Sequence, residues 1–228
     1  MLQLLGRKRI RPLGLASSTS AVCALVPAPD KTRLIDGLFE PFEFPAYSAP
    51  SDWHAAYIGK QQVLREIICS YEEKIIKVYN LIRVLELELW RVMLPASYLE
   101  RFGSALTALH DLGVTIPFLT AQFDGQSMLN FAFCLSGAHS QEATRIFANY
   151  LAELPARRQV DVSAFFVHGP HFGDRYGIIH KLLNSLRHAA VTPLAVSCAV
   201  SSISVVVPAG DLTTAIQSLH GSFQIPED

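Results

Sequence analysis

His168, His171 and His180 stand close in sequence to Asp174, and imidazole with carboxylate is a donor set that zinc uses. His168 and His171 have a ligand-like spacing. The three histidines fall on a strand end, a loop and a helix, however, so solvated histidines are the expected reading and no metal is expected. The run Gly169-Pro170-His171-Phe172-Gly173-Asp174-Arg175-Tyr176-Gly177 precedes a helix, as a phosphate-cradling loop does. It fits neither GxGxxG nor the P-loop and lacks the Lys-Ser/Thr pair that would follow, so it reads as a tight turn. The serines include no GxSxG elbow, and no Ser/His/Asp set can be ordered from them. Cys23, Cys69, Cys134 and Cys198 are scattered with no CxxC pair, which reads as reduced thiols in a cytosolic protein. These residues give no catalytic group and no cofactor site.

The elements that would carry any site come in two similar sets. Leu106, Leu109, Val114 and Thr115 recur at one constant offset as Leu183, Leu186, Val191 and Thr192. In each set a helix with apolar residues at i, i+3 and i+4 runs into Val-Thr, a strand, a turn and another strand, and then a second amphipathic helix. Such βαββαβ units have the ferredoxin-like pattern, in which helices cover one face of an antiparallel sheet. The expected class is therefore α+β, with two such units at 75–156 and 157–228. A seam between paired units can hold a small ligand.

In the first unit, Ile75 to Leu94 gives two strand candidates, and Leu85-Glu86-Leu87-Glu88-Leu89 predicts one buried and one acidic face. A helix is expected from Ser97, with Glu100 completing a capping box and Phe102, Ala105, Leu106 and Leu109 buried. Strands follow at Val114 to Ala121 and Ser127 to Leu135, then a helix with Ile146, Phe147, Tyr150, Leu151 and Leu154 on one side. The second unit has a strand from Val160 to Val167, a helix through Ile178, Leu182 and Leu186, and strands from Leu194 and Ile203. Asp211 is placed to cap the last helix, and Phe223 to Ile225 adds a short strand. Together these predict eight strands and four helices.

Half of the 228 residues are hydrophobic and 17% are charged, so the chain is too apolar to be disordered, and surface beyond a monomer core is available for association as a homodimer or higher oligomer. A net charge of −1 gives no case for nucleic acid as a partner. No apolar run is long enough for a membrane span; Leu194 to Gly210 is uncharged but alternates and is rich in serine. Residues 1–50 read as a basic, Pro-rich tail and linker, with Arg7, Lys8, Arg9 and Arg11 and no acid before Asp30. A transit peptide or secretory signal stays open as an alternative there; otherwise the cytoplasm is expected. Residues 51–74 predict an amphipathic helix whose Val63, Leu64, Ile67, Ile68 and Tyr71 share one face, packed on the units or held for a partner.

Val160 to Ile225 carries a strand, a glycine loop and a helix. Val191-Thr192 and Ser201-Ser202-Ile203-Ser204-Val205 follow, and the segment ends in Asp211-Leu212, Ala215, Leu219-His220 and Phe223. This segment resembles the last ACT domain of aspartate kinases, and Ile75 to Leu154 is similar to the ACT domain before it. The kinase itself has no counterpart, because there is no Lys-Phe-Gly-Gly-Thr-Ser type loop near the N-terminus. The resemblance implies a non-catalytic regulatory module. In that family, paired ACT units sense an end-product amino acid at their interface and regulate a kinase catalytic subunit. A helix start offers N–H groups to the ligand carboxylate, and a facing strand holds the ammonium group. Carried across, the first unit's loop falls on Ser97 and Tyr98 and its strand on Thr120 and Gln122. The second unit's loop falls on His171, Asp174 and Gly177, and its strand on Ser197.

Departures from the family pattern shift the expected ligand. Leu99-Glu100 replaces the Pro-Gly that opens the first helix, Pro117 replaces an acidic position, and Ser197-Cys198-Ala199-Val200 replaces Ser-Thr-Ser-Glu. Charged partners have become apolar. The expected ligand is an apolar or small polar amino acid; the alternative is an ACT-based dimerisation scaffold without a ligand.

Overall fold

The computed structural model describes residues 1–18, 21–58, 76–152, 154–170, 172 and 176–226. Its elements run α1 (Leu2–Arg7), β1 (Gly14–Ser17), β2 (Val22–Leu25), α2 (Lys31–Leu38), α3 (Pro50–Ile58), β3 (Ile76–Lys77) and β4 (Asn80–Pro95). They continue with α4 (Leu99–Asp111), β5 (Phe118–Phe123), β6 (Met128–Ser136), α5 (Ser140–Leu151) and β7 (Ala156–His168). The last are α6 (Ile178–His188), β8 (Ala195–Cys198), β9 (Ser202–Pro208), α7 (Leu212–Leu219) and β10 (Phe223–Gln224). Eight strands form one antiparallel sheet in the order β2-β1-β5-β6-β4-β7-β9-β8, and β3 pairs with β10 in parallel. The fold is α+β, as the periodicity predicts.

β4 and β7 are the spine that joins the two units, and each changes face partway along. Glu86 and Asp161 take φ of 56° and 54°, and the β4–β7 register shifts between Val84 and Leu89. An extra residue in a strand reverses which side chains point to which face. Before the bulge Ile82 and Val84 face the inner core and Leu81 faces the helices. After it Leu87 and Leu89 face the inner core, while Trp90, Val92 and Leu94 pack under helices. This corrects the predicted buried and acidic faces: Leu85 is 58% exposed, whereas Glu88 is buried and accepts a hydrogen bond from Trp90 Nε1 at 3.2 Å.

Three cores result. Beneath α1, α4 and α5 lie Trp90, Phe102, Phe131, Phe133 and Phe147, with the Phe102 and Phe131 rings 4.7 Å apart. Beneath α6 and α7 lie Phe165, Val167, Ile203, Val205 and Val207. On the face away from the helices, Leu87, Leu89, Phe118 and Cys134 of one half of the sheet meet Val162, Phe166 and Val206 of the other. The sheet therefore curls, and its ends approach: Ser197 Oγ of β8 donates to Ser17 O of β1 at 3.2 Å.

The N-terminal residues are not a tail. α1 buries Leu2, Leu4 and Leu5 against α4, and β1 pairs with the β5 edge in the register Gly14↔Gln122, Leu15↔Ala121, Ala16↔Thr120. Burial of each leucine stabilises this docking by about 1.5–3 kcal/mol, and the four basic residues oppose it little because they stay hydrated at the surface. The segment is a third copy of the helix-strand-strand-helix pattern. The spacing from Gly14 to Ala195, where β1 and β8 begin, equals that from Ala28 to Ala209 and from Lys31 to Leu212, where the 3₁₀ turns and α2 and α7 begin. Val26-Pro27-Ala28, Asp30, Thr32 and Ile35 are matched by Val207-Pro208-Ala209, Asp211, Thr213 and Ile216.

Other expectations change in detail. Among the described residues there are ten strands, two of them from this extra copy. After Pro95, with φ −70° and ψ 154°, the chain makes a 3₁₀ turn at Ala96–Tyr98, so α4 starts at Leu99 and no capping box forms at Ser97. Asp211 holds the N-cap position of α7 without a side-chain cap. Val63, Leu64, Ile67, Ile68 and Tyr71, and with them most of the expected amphipathic helix, lie outside the described residues.

Candidate ligand-binding seam

The residues that the sequence singles out occupy two kinds of place. Ser97 and Tyr98 form the 3₁₀ turn ahead of α4, and Arg101 lies over the Tyr98 ring at 5.4 Å. Gly177 caps α6 at φ 83°, with nothing near the position of a Cβ, so backbone conformation rather than space calls for glycine. His171 and Asp174 lie outside the described residues. His168 ends β7, and His180 in α6 is 2.8 Å from Asn184 Nδ2 through its Nε2. Among the described residues no three His, Cys, Asp or Glu side chains group as a metal site would need.

Thr120, Gln122 and Ser197 instead come together around β1. Thr120 Oγ1 donates to Leu15 O at 3.0 Å, and Ser17 Oγ donates to Leu119 O at 2.9 Å while accepting from Leu119 N at 2.8 Å. Ser197 is 2% exposed and spends its hydroxyl on Ser17 O. The β5 edge, expected to face a ligand, is thus already paired to the chain's own third copy. Helical and strand periodicity do not reveal this, because the partner strand lies in a segment whose composition reads as a tail.

Pairing of the copies creates a seam of its own. α1 crosses α4 at two glycines: a Cβ on Gly6 would stand 2.6 Å from Glu100 N, and one on Gly103 would stand 2.8 Å from Gln3 N. Beside this crossing, between α1 with β1 and α4 with β5, lies a cavity of about 360 Å³. Leu2, Leu15, Leu106, Ile116 and Leu119 give it apolar walls, and His110 stands at its edge. The neighbouring polar groups are occupied: Thr107 Oγ1 donates to Gly103 O at 3.0 Å, and Gln3 Nε2 donates to Ser104 Oγ at 3.2 Å. A pocket of this size and lining suits a small, mainly apolar molecule.

Two of the thiols, Cys134 and Cys198, are muted. Burial pushes Cys134 up to about 12, against the pull of the nearby Arg91 charge. Burial, and then the neighbouring Cys23, raise Cys198. No described helix is long and apolar enough to cross a membrane.

No family model and no curated protein matches the sequence. The fold has clear counterparts among solved structures. The ligand-free regulatory subunit of aspartate kinase from Thermus thermophilus superposes with a TM-score of 0.56 at 19% identity, over 64% of this chain and 99% of its own. The regulatory subunit from Thermus flavus gives 0.56 at 17% identity, over 64% and 97%. Aspartate kinase from Synechocystis gives 0.73 at 13% identity and takes in 99% of this chain, which spans 38% of that enzyme's length. The likeness is one of fold: the chain has the tandem ACT architecture of aspartate kinase regulatory regions, and the Synechocystis match extends through the N-terminal copy.

Proposed function

We propose that this chain is a non-catalytic, ACT-type regulatory module that binds a small ligand of the amino-acid class at a seam between its units and/or regulates an aspartate-kinase-like catalytic partner. The observation that carries the reading is the apolar cavity of about 360 Å³ between the paired copies. The ligand's apolar side chain lies among Leu15, Leu106 and Leu119. Its polar end faces the Gln3, Ser17 and Thr107 side chains that also line the cavity. Two of the similar structures are stand-alone regulatory subunits, which supports a role without chemistry of its own.

The test is thermal unfolding with each of the twenty amino acids at millimolar concentration. A ligand at about 100 times its Kd adds about 2.7 kcal/mol to the native state. One or a few apolar or small polar amino acids should raise the midpoint, and Leu106→Trp, which fills the cavity, should remove the effect. A cooperative melt that no amino acid shifts overturns ligand binding. It leaves the second reading, an ACT-based scaffold, which is favoured by the commitment of Thr120 and Ser197 to β1. Co-purification with a catalytic subunit tests the partner.

A further inference from the structure

The inner face of the sheet changes character along the strands. One row across it is Phe118, Cys134, Leu89 and Gln159, read from the pairings Phe118↔Cys134, Leu89↔Cys134 and Leu89↔Gln159. The next row is Thr120, Ala132, Arg91 and Arg157, from Thr120↔Ala132, Arg91↔Ala132 and Arg91↔Arg157. The row beyond is Gln122, Asn130 and Met93. The face passes from apolar core to two arginines side by side, then to two amides, and this end is a groove of about 510 Å³. Both arginines reach this face because the bulge at Glu86 and Asp161, which lies between them and the inner core residues Val84 and Val162, reverses which side chains of the two strands point inward.

Directly opposed like charges destabilise a strand pair. Nothing on this face compensates for them: among the described residues lining the groove there is no Asp or Glu. Arg91 is held in place, with Nη1 donating to Gln159 Oε1 at 3.3 Å and Nη2 to Leu194 O at 3.0 Å. Those two contacts leave most of its donor fork unused. Arg157 makes no hydrogen bond or ion pair with a described residue, and neither do the side chains of Gln122 and Asn130. A planar carboxylate is the natural complement of such a pair. Apolar Met93, Pro155 and Val196 leave room for an organic body beside it.

We infer that the inner groove is a second binding site, in which Arg91 and Arg157 clasp the carboxylate of a small organic acid and Asn130 and Gln122 hydrogen-bond its polar remainder. This site is separate from the apolar seam and does not depend on amino-acid binding there.

Binding of succinate to the full chain, followed by thermal shift and calorimetry against sodium chloride of equal ionic strength, tests it, with inorganic phosphate as the competing anion. Succinate should bind saturably. Arg157→Ala should weaken it at least tenfold, Arg157→Lys less, and Leu106→Trp not at all. Asn130→Asp, which adds a negative charge to the groove without touching a core residue, should weaken it comparably. No succinate effect beyond the salt control, or an equal effect in Arg157→Ala and Asn130→Asp, overturns the site. Phosphate binding as tight as succinate overturns the carboxylate assignment. Loss of succinate binding in Leu106→Trp overturns its independence from the seam.

Discussion

Replacing Gly6 or Gly103 with alanine isolates the docking of the N-terminal copy from every other feature of the fold. An alanine Cβ at Gly6 would stand 2.6 Å from Glu100 N, 2.8 Å from Glu100 Cβ and 3.0 Å from Glu100 Cα. At Gly103 it would stand 2.8 Å from Gln3 N and Gln3 Cγ and 3.2 Å from Leu2 Cβ. Ordinary contact begins at 3.4 Å, and part of the obstacle in each case is backbone, so the helices must separate. Overpacking of this kind costs about 1–3 kcal/mol. Alanine also returns about 0.5–1 kcal/mol of helix propensity. Contacts under 3.0 Å to backbone put both sites at the upper end of that cost, so the net expectation is a loss of about 2 kcal/mol for each variant. The double variant should lose less than the sum, because both substitutions open one crossing. Gly210→Ala is the control, since a Cβ there meets nothing within 4 Å. Urea unfolding measures the loss, and limited proteolysis should show earlier cleavage in the linker after α2. If Gly6→Ala and Gly103→Ala match or exceed the wild type in stability, α1 does not pack on α4 as described.

Further outcomes follow from single groups. Cys134, at about 12, stays a thiol in the folded chain while it ionises near its ordinary value of 9.0 when unfolded. Between those two values the unfolded state binds fewer protons, so stability falls as pH rises, by about 1.4 kcal/mol per pH unit, and Cys134→Ala removes that component of the slope in unfolding titrations. Ser202 Oγ and Ser204 Oγ are buried and have no hydrogen-bond partner among the described residues. Ser204→Ala should therefore be neutral or stabilise by up to about 1 kcal/mol, whereas Ser197→Ala, which breaks the contact with Ser17 O, should cost about 0.5–1.5 kcal/mol, both by urea unfolding. Glu88→Ala leaves the buried Trp90 N–H without its acceptor and should cost about 1–3 kcal/mol, with a change in tryptophan fluorescence.

The two units with long helices are legible in the sequence because α4, α5 and α6 are each long enough to show a helical stripe, and β6 and β9 to show strand character. The third copy is not, for a physical reason. α1 has six residues and β1 and β2 four each. Elements so short have no stability or pattern of their own and form only by packing on α4 and β5. Four basic residues and the prolines around them give the same composition as a tail. The signal that was present is positional: Pro12 and Pro27 have the spacing of Pro193 and Pro208, each pair framing a hairpin before a 3₁₀ turn. The bulge at Glu86 is also hidden, since Leu85 to Leu89 alternates as if unbroken and only pairing with β7 shows where the faces reverse. The arginine pair of the inner groove depends on that reversal, so no reading of spacing alone would have joined Arg91 to Arg157.

Whether a seam between copies holds an amino acid is decided by equilibrium dialysis of the full chain against each of the twenty radiolabelled amino acids. Saturable binding of one or a few apolar or small polar amino acids is expected, near one per chain, lost in Leu106→Trp while circular dichroism is unchanged. Retention of none of the twenty above a small-solute control, or unchanged binding in Leu106→Trp, would contradict it.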